Sequence, residues 1–92
     1  FSEFLNVYPS DLRIMNELAF AYIKIGNFDE GINIWQNIIK INPNISDIYY
    51  NLFTAYNNKK QYNSAAYYAF KTIEKGGKVD PVKLEFLKKY RK

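Results

Sequence analysis

The strongest constraint on the fold is that the sequence repeats itself. A shift of about 34 residues places the same classes of side chain at the same positions. Apolar residues recur at one such position and tyrosines at another: Leu18, Leu52 and Phe86, then Tyr22, Tyr56 and Tyr90. A unit of this length buries its apolar faces against its neighbours, so the sequence predicts a stacked array of units.

The spacing inside the first unit is helical. Apolar residues recur every three or four positions and predict one face of a helix: Ile14, Leu18, Ala21, Tyr22 and Ile25. A second helix follows Gly26 and is apolar on more than one side, so it needs cover from two neighbours. Asn27 with Glu30 three residues later predicts a capping box at its start.

The second unit repeats this order after Pro43. Ser46 or Asn44 is expected to cap its first helix, and its second helix is predicted over about 62–75, stopped by Gly76-Gly77. Asp80-Pro81 then predicts a cap followed by proline at the first helical position. Four apolar residues of this last helix are expected to cover the second unit: Val82, Leu84, Phe86 and Leu87.

These residues resemble the pattern of the tetratricopeptide repeat family. The residues that match in the two units are Leu18, Ala19, Tyr22, Gly26, Phe28, Gly31, Trp35 and Pro43, then Leu52, Tyr56, Tyr62 and Ala65. The resemblance divides the chain into the end of a preceding repeat (1–9), two repeats (10–43 and 44–77) and a C-terminal capping helix (80–92). It implies an all-α fold in which antiparallel helix pairs stack as a right-handed α-solenoid.

The second unit departs from the family pattern at Phe53, where a small residue is expected. In the first unit, Ala19 and Gly31 allow the paired backbones to approach closely. We expect small side chains opposite Phe53 to make room for its ring: Ala65, Ala66 and Ala69.

In this family the first helices of successive repeats form a concave wall that receives peptides. The resemblance therefore assigns a groove to this chain, lined by Arg13, Asn16, Phe20, Ile23 and Lys24, by Asp47, Tyr50, Thr54, Asn57 and Asn58, and by Leu84, Lys88 and Arg91. Aromatic rings offer apolar surface, while Asn and Lys side chains can bond an extended backbone or a carboxylate. The alternative for Phe20 and Ile23 is that they pack against the neighbouring first helix.

The residues of the groove favour a protein or peptide partner. Some family members bind a C-terminal carboxylate with basic and amide side chains, but Phe20, Pro81 and Glu85 stand at positions of that clamp and do not reproduce it. The predicted groove still holds more basic than acidic residues, so an acidic or amphipathic peptide is predicted.

Other function classes are less well supported. The chain has no cysteine and no histidine, which excludes the usual zinc sets, Ser-His triads and Cys-His dyads, so neither an enzyme nor a cofactor is predicted. No apolar run approaches the roughly 20 residues of a membrane span, and the compartment stays undecided. A nucleic-acid-binding helical repeat is the alternative, although the second unit offers acids, tyrosines and asparagines instead of a basic track.

The start of the chain carries an apolar face whose partner helix is absent. Phe1, Phe4 and Leu5 form this face, and a patch of this kind favours contact with another surface. We expect this N-terminal segment either to fray or to pair with the same face of another copy.

Overall fold

A computed structural model describes residues 11–90, which form five α-helices and no strand. The helices are α1 (Leu12–Lys24), α2 (Phe28–Ile41), α3 (Ser46–Asn58), α4 (Tyr62–Glu74) and α5 (Pro81–Leu87), and one 3₁₀ turn follows at Lys88–Tyr90. The predicted all-α class is confirmed. The N-terminal segment that was expected to fray or self-associate lies outside the described residues.

The helices pack in chain order. The largest interfaces join α1 to α2 and α3 to α4, while smaller ones join α2 to α3 and α4 to α5. Residues 25–27 and 59–61 are the whole connections inside the two pairs, and connections this short join antiparallel neighbours. The structure is therefore a series of helix pairs, while the right-handed superhelix stays a prediction.

The turns inside the two pairs have the same hydrogen bonds, one period apart. Gly26 and Lys60 both have positive φ, at 87° and 62°. The next amide in each turn donates back to a tyrosine carbonyl, Asn27 to Tyr22 at 2.9 Å and Gln61 to Tyr56 at 3.0 Å. These are Schellman ends, and glycine adopts this backbone without strain whereas lysine does not.

The caps predicted for α2 and α3 are confirmed only in part. Asn27 is the N-cap residue of α2, as predicted, but its side chain makes no capping bond. The N-cap residue of α3 is Ile45, so the prediction of Ser46 or Asn44 is wrong. The Schellman turn holds Asn27 at φ −91° and ψ 71°, away from the extended backbone that aims a cap side chain at the helix. The prediction for Asp80 is confirmed, since its carboxylate accepts the Val82 amide at 2.9 Å with proline next in sequence.

The buried face of α1 differs from the predicted one. Met15, Ala19 and Tyr22 lie in the core, whereas Ile14 is 52% exposed and Ile25 is 76% exposed. At the position one period after Ile14, Ile48 is buried by the packing of α3 on α2. Residues 11–90 contain no helix before α1, so nothing comparable covers Ile14 there.

The core of the second pair confirms one expectation and corrects another. Phe53 packs against Ala65, Ala66 and Ala69, as predicted, and Leu87 closes this cluster. Val82 was also expected to cover the second unit, yet it is 76% exposed. Phe86 is 46% exposed but does contact the second unit, since its ring lies 5.3 Å from that of Tyr62. The interface of α5 with α4 is smaller than that of α3 with α2, so the start of α5 is left uncovered.

Candidate functional site

The first helices of the two pairs are linked through one side chain. The Asn16 carbonyl oxygen accepts a hydrogen bond from the Trp35 indole at 2.7 Å and from the Asn51 amide at 3.3 Å. These bonds join α1 to α2 and to α3, and they place α1 beside α3. Asn16 was predicted to line the groove, but its oxygen is already committed to the protein.

Two aromatic rings stand half-exposed on these neighbouring helices. Phe20 is 46% exposed and contacts the edge of Trp35, with ring centroids 5.2 Å apart. Tyr50 is 41% exposed and lies 5.7 Å from the ring of Phe53. Each exposed ring therefore rests on a buried aromatic, so its position is fixed while part of its surface stays open.

The other polar residues of the predicted groove differ in exposure. Lys24, Asp47, Thr54 and Asn58 are exposed, whereas Asn57 is half-buried. Thr54 donates its hydroxyl to the Tyr50 carbonyl at 3.0 Å.

Two basic residues of the predicted groove already form ion pairs with acidic side chains. Arg13 pairs with Asp11 at 3.4 Å, and Lys88 pairs with Glu85 at 3.2 Å. Hydrogen bonds from the Arg13 amide and guanidinium lower the pKa of Asp11. Exposed pairs are weak, so a ligand carboxylate can compete for these cations. Arg91 lies outside the described residues.

A surface cavity of about 600 Å³ extends the site from α3 to the start of α5. Its apolar lining comes from Tyr50, Ile73, Val79 and Pro81. Sequence reasoning assigned only Tyr50 to the site, because the register argument covers first helices and not the connection at 75–80. The length of that connection, compared with the equivalent connection between pairs at 42–45, is the signal that could have indicated it.

The comparison with known families identifies the repeat. Residues 34–67 match the family model described as Tetratricopeptide repeat. This match supports assignment of the chain to the tetratricopeptide repeat family. The matched segment starts inside α2, includes all of α3 and ends in α4, so it crosses the predicted boundary between 10–43 and 44–77. Those boundaries stay predictions. Comparison with curated proteins gives no match.

The match indicates a general class of function. Tetratricopeptide repeats are non-catalytic units that generally mediate protein–protein interactions. No helix within residues 11–90 is long and apolar enough to cross a membrane. The same residues hold no cluster of three or more His, Cys, Asp or Glu side chains suited to a metal ion.

Proposed function

We propose that the exposed face of α1 and α3, continued by α5, binds an extended segment of a partner protein. The observation that carries this proposal is the pair of half-exposed rings, Phe20 and Tyr50, each supported by a buried aromatic side chain. Aromatic anchors of this kind dominate the energy of many interfaces. Support from beneath reduces the entropy that each ring loses on binding.

The chemistry of the face indicates the type of segment that fits. The cavity beside Tyr50 accepts an apolar side chain, because Ile73, Val79 and Pro81 line it. Lys24 and Arg13 are exposed on α1, and Lys78 borders the cavity, so acidic residues of the ligand have cations within the same face. The preferred ligand is an amphipathic peptide with acidic residues on either side of an aliphatic or aromatic anchor.

Selection from a displayed library of random peptides tests this proposal. Peptides that bind the wild-type protein should lose at least about tenfold in affinity for the Phe20→Ala and Tyr50→Ala variants, which corresponds to about 1.4 kcal/mol. Tyr67→Ala removes an exposed tyrosine from α4, outside the face, and should bind as the wild type does. Peptides that bind the double variant Phe20→Ala, Tyr50→Ala with undiminished affinity would overturn the proposal.

Two further measurements examine the chemistry. Affinity for the selected peptides should fall as salt rises, because interactions between exposed charges are screened. An electrophoretic mobility shift at moderate salt tests the nucleic-acid alternative. Tight, salt-sensitive binding to RNA or DNA that survives the loss of Phe20 and Tyr50 would favour that alternative.

A further inference from the structure

The two connections that lead from a second helix to the next first helix differ in how their backbones are bonded. Residues 42–45 join α2 to α3, and residues 75–80 join α4 to α5. The two connections lie one period apart, so their hydrogen bonds can be compared residue by residue. A backbone amide or carbonyl that no protein group bonds is open to water or to a ligand.

The connection at 42–45 uses side chains to bond its own backbone. The Asn44 amide donates to the side-chain oxygen of Asn42 at 3.2 Å. The Pro43 carbonyl accepts a hydrogen bond from the Tyr49 hydroxyl at 2.9 Å, and proline has no amide to satisfy. The polar groups in the middle of this connection therefore have partners within the protein.

The connection at 75–80 lacks both of these side chains. One period after Asn42 stands Gly76, which has no side-chain oxygen, and one period after Tyr49 stands Lys83, which has no hydroxyl. The amide equivalent to the one that Asn42 bonds is that of Lys78. Within residues 11–90, no group bonds the N–H or the C=O of Lys78. Its main chain is therefore left for water or for a ligand.

This unbonded main chain lies at the cavity of about 600 Å³ beside Tyr50, because Lys78 is part of the cavity lining. The residue is exposed, and its ammonium has no acidic partner in the described part of the chain. An apolar cavity wall, an unpaired cation and an unbonded main chain thus occur at one place. A peptide that places a side chain in the cavity brings its own backbone to Lys78.

The connection is held from the inside at the preceding residue. The Gly77 amide donates to the Thr72 carbonyl of α4 at 2.8 Å. A Cβ added at Gly77 would lie 2.7 Å from the Thr72 side chain and 3.2 Å from that of Ser46, so this backbone packs closely against α4 and the start of α3. Residues 77–80 form neither a helix nor a turn, and successive amides of an extended chain point to opposite sides. We therefore expect the Lys78 amide to face away from α4.

We infer, on the basis of the function proposed above, that the ligand binds the main chain of Lys78 as one β-strand binds another. One ligand residue accepts the Lys78 amide with its carbonyl and donates its own amide to the Lys78 carbonyl, as in a hydrogen-bonded pair of antiparallel strands. A neighbouring ligand residue fills the cavity. Main-chain bonds of this kind contribute affinity, while the cavity selects the side chain. The ligand at this end of the face is therefore an extended peptide and not a helix.

Amide hydrogen exchange of the free and the peptide-bound protein tests this inference directly. The probe is a peptide selected against the wild-type protein in the library experiment above. The Lys78 amide should exchange rapidly in the free protein and at least about tenfold more slowly when the peptide is saturating. The Asn44 amide, at the equivalent position between α2 and α3, is the control and should not change.

Two substitutions of one residue separate the main chain from the side chain. Lys78→Ala removes the cation and keeps the amide, whereas Lys78→Pro removes both. Lys78→Pro should bind the selected peptides at least about tenfold more weakly than Lys78→Ala does. Circular dichroism checks that both variants keep their helices. Single N-methylations along the peptide make the same test on the intact protein, and one of them should lower the affinity at least about tenfold.

The possible failures are distinguishable. Peptides that depend on Phe20 and Tyr50 but leave the exchange of the Lys78 amide unchanged would overturn the main-chain pairing and leave the groove intact. Equal affinities for Lys78→Pro and Lys78→Ala, or a peptide that tolerates every N-methylation, would do the same. Peptides that bind without either ring would instead overturn the groove itself.

Discussion

Each helix pair buries one aromatic ring to an exposure of 2% or less, but the two pairs take it from opposite helices. In the first pair, Trp35 of α2 and Ala19 of α1 belong to the same buried cluster. In the second pair Phe53 comes from α3, and Ala69 of α4 is small. These positions are one period apart, and none of the four residues is more than 2% exposed. The repeat therefore preserves the volume between its helices and not the residue at each position.

This exchange changes the chemistry of the binding face. The Trp35 indole requires an acceptor when it is buried, and Asn16 supplies it at 2.7 Å. Phe53 has no polar atom, so the equivalent position in the second pair does not need an amide. Tyr50 occupies that position, and its ring stays 41% exposed. The choice of core aromatic thus decides whether the side chain at this position is bonded to the core or is left half-exposed.

The largest expected effect comes from reversing the exchange in the second pair. Phe53→Ala should lower the free energy of unfolding by about 3–5 kcal/mol, because it leaves a cavity among alanines. Ala69→Trp alone should lower it by about 1–3 kcal/mol through overpacking. The double variant recreates the placement of large and small side chains of the first pair, although it lacks the amide that accepts the indole there, and it should still be more stable than the sum of the two losses predicts.

Denaturant melts of all four proteins measure this coupling. A loss below about 1 kcal/mol for Phe53→Ala would show that Phe53 does not fill the interface as described. Strictly additive losses in the double variant would show that a large side chain on α4 cannot replace the one removed from α3.

A smaller effect is expected from removing the amide that the first pair requires. Asn16→Ala leaves the indole of Trp35 without its acceptor and should lower stability by about 1–2 kcal/mol. Trp35 is the single tryptophan of the chain, so a change in its fluorescence would report the lost bond directly. Thr54→Ala removes an exposed side-chain hydrogen bond in the second pair and provides the control. Equal losses in the two variants would contradict the special role of Asn16.

The smallest effect concerns the turns. Gly26 and Lys60 occupy the same left-handed position, so Lys60→Gly should raise stability by about 0.5–1 kcal/mol through relief of strain. Gly26→Lys should lower it by a similar amount, and no other atom lies within 4 Å of an added Cβ there. Thermal melts of the two variants check the opposite signs. A destabilised Lys60→Gly protein would mean that the lysine side chain contributes more than the strain removes.

Much of the fold was predictable because the repeat constrains it at many positions. The period located the helices, and the glycine pair and Asp80-Pro81 marked the boundaries around the last connection. The failures have a common cause. Ile14 and Val82 were assigned to buried faces because the pattern shows which residues are apolar, but not which neighbouring helix covers them. The capping bond predicted for Asn27 does not form because the Schellman turn fixes its backbone, and Ile45 occupies the cap position that was assigned to Ser46 or Asn44.

The candidate site was predictable only in outline. The register placed Phe20 and Tyr50 on neighbouring first helices, where both are half-exposed. It could not show that the oxygen of Asn16 is committed to Trp35, since that bond depends on distances between helices. It also missed Ile73 and Val79, because they lie outside the first helices. Roles that depend on the position of a residue in the repeat could be predicted from the sequence. Roles that depend on contacts between helices could not.

The oxygen of Asn16 has a mechanical consequence. It receives bonds from α2 and α3 while it belongs to α1, so three helices meet at a single atom. Bending one helix pair relative to the next would stretch or break at least one of these bonds. The angle between the two helix pairs is therefore held at a defined point, and changing that angle requires breaking one of these two bonds.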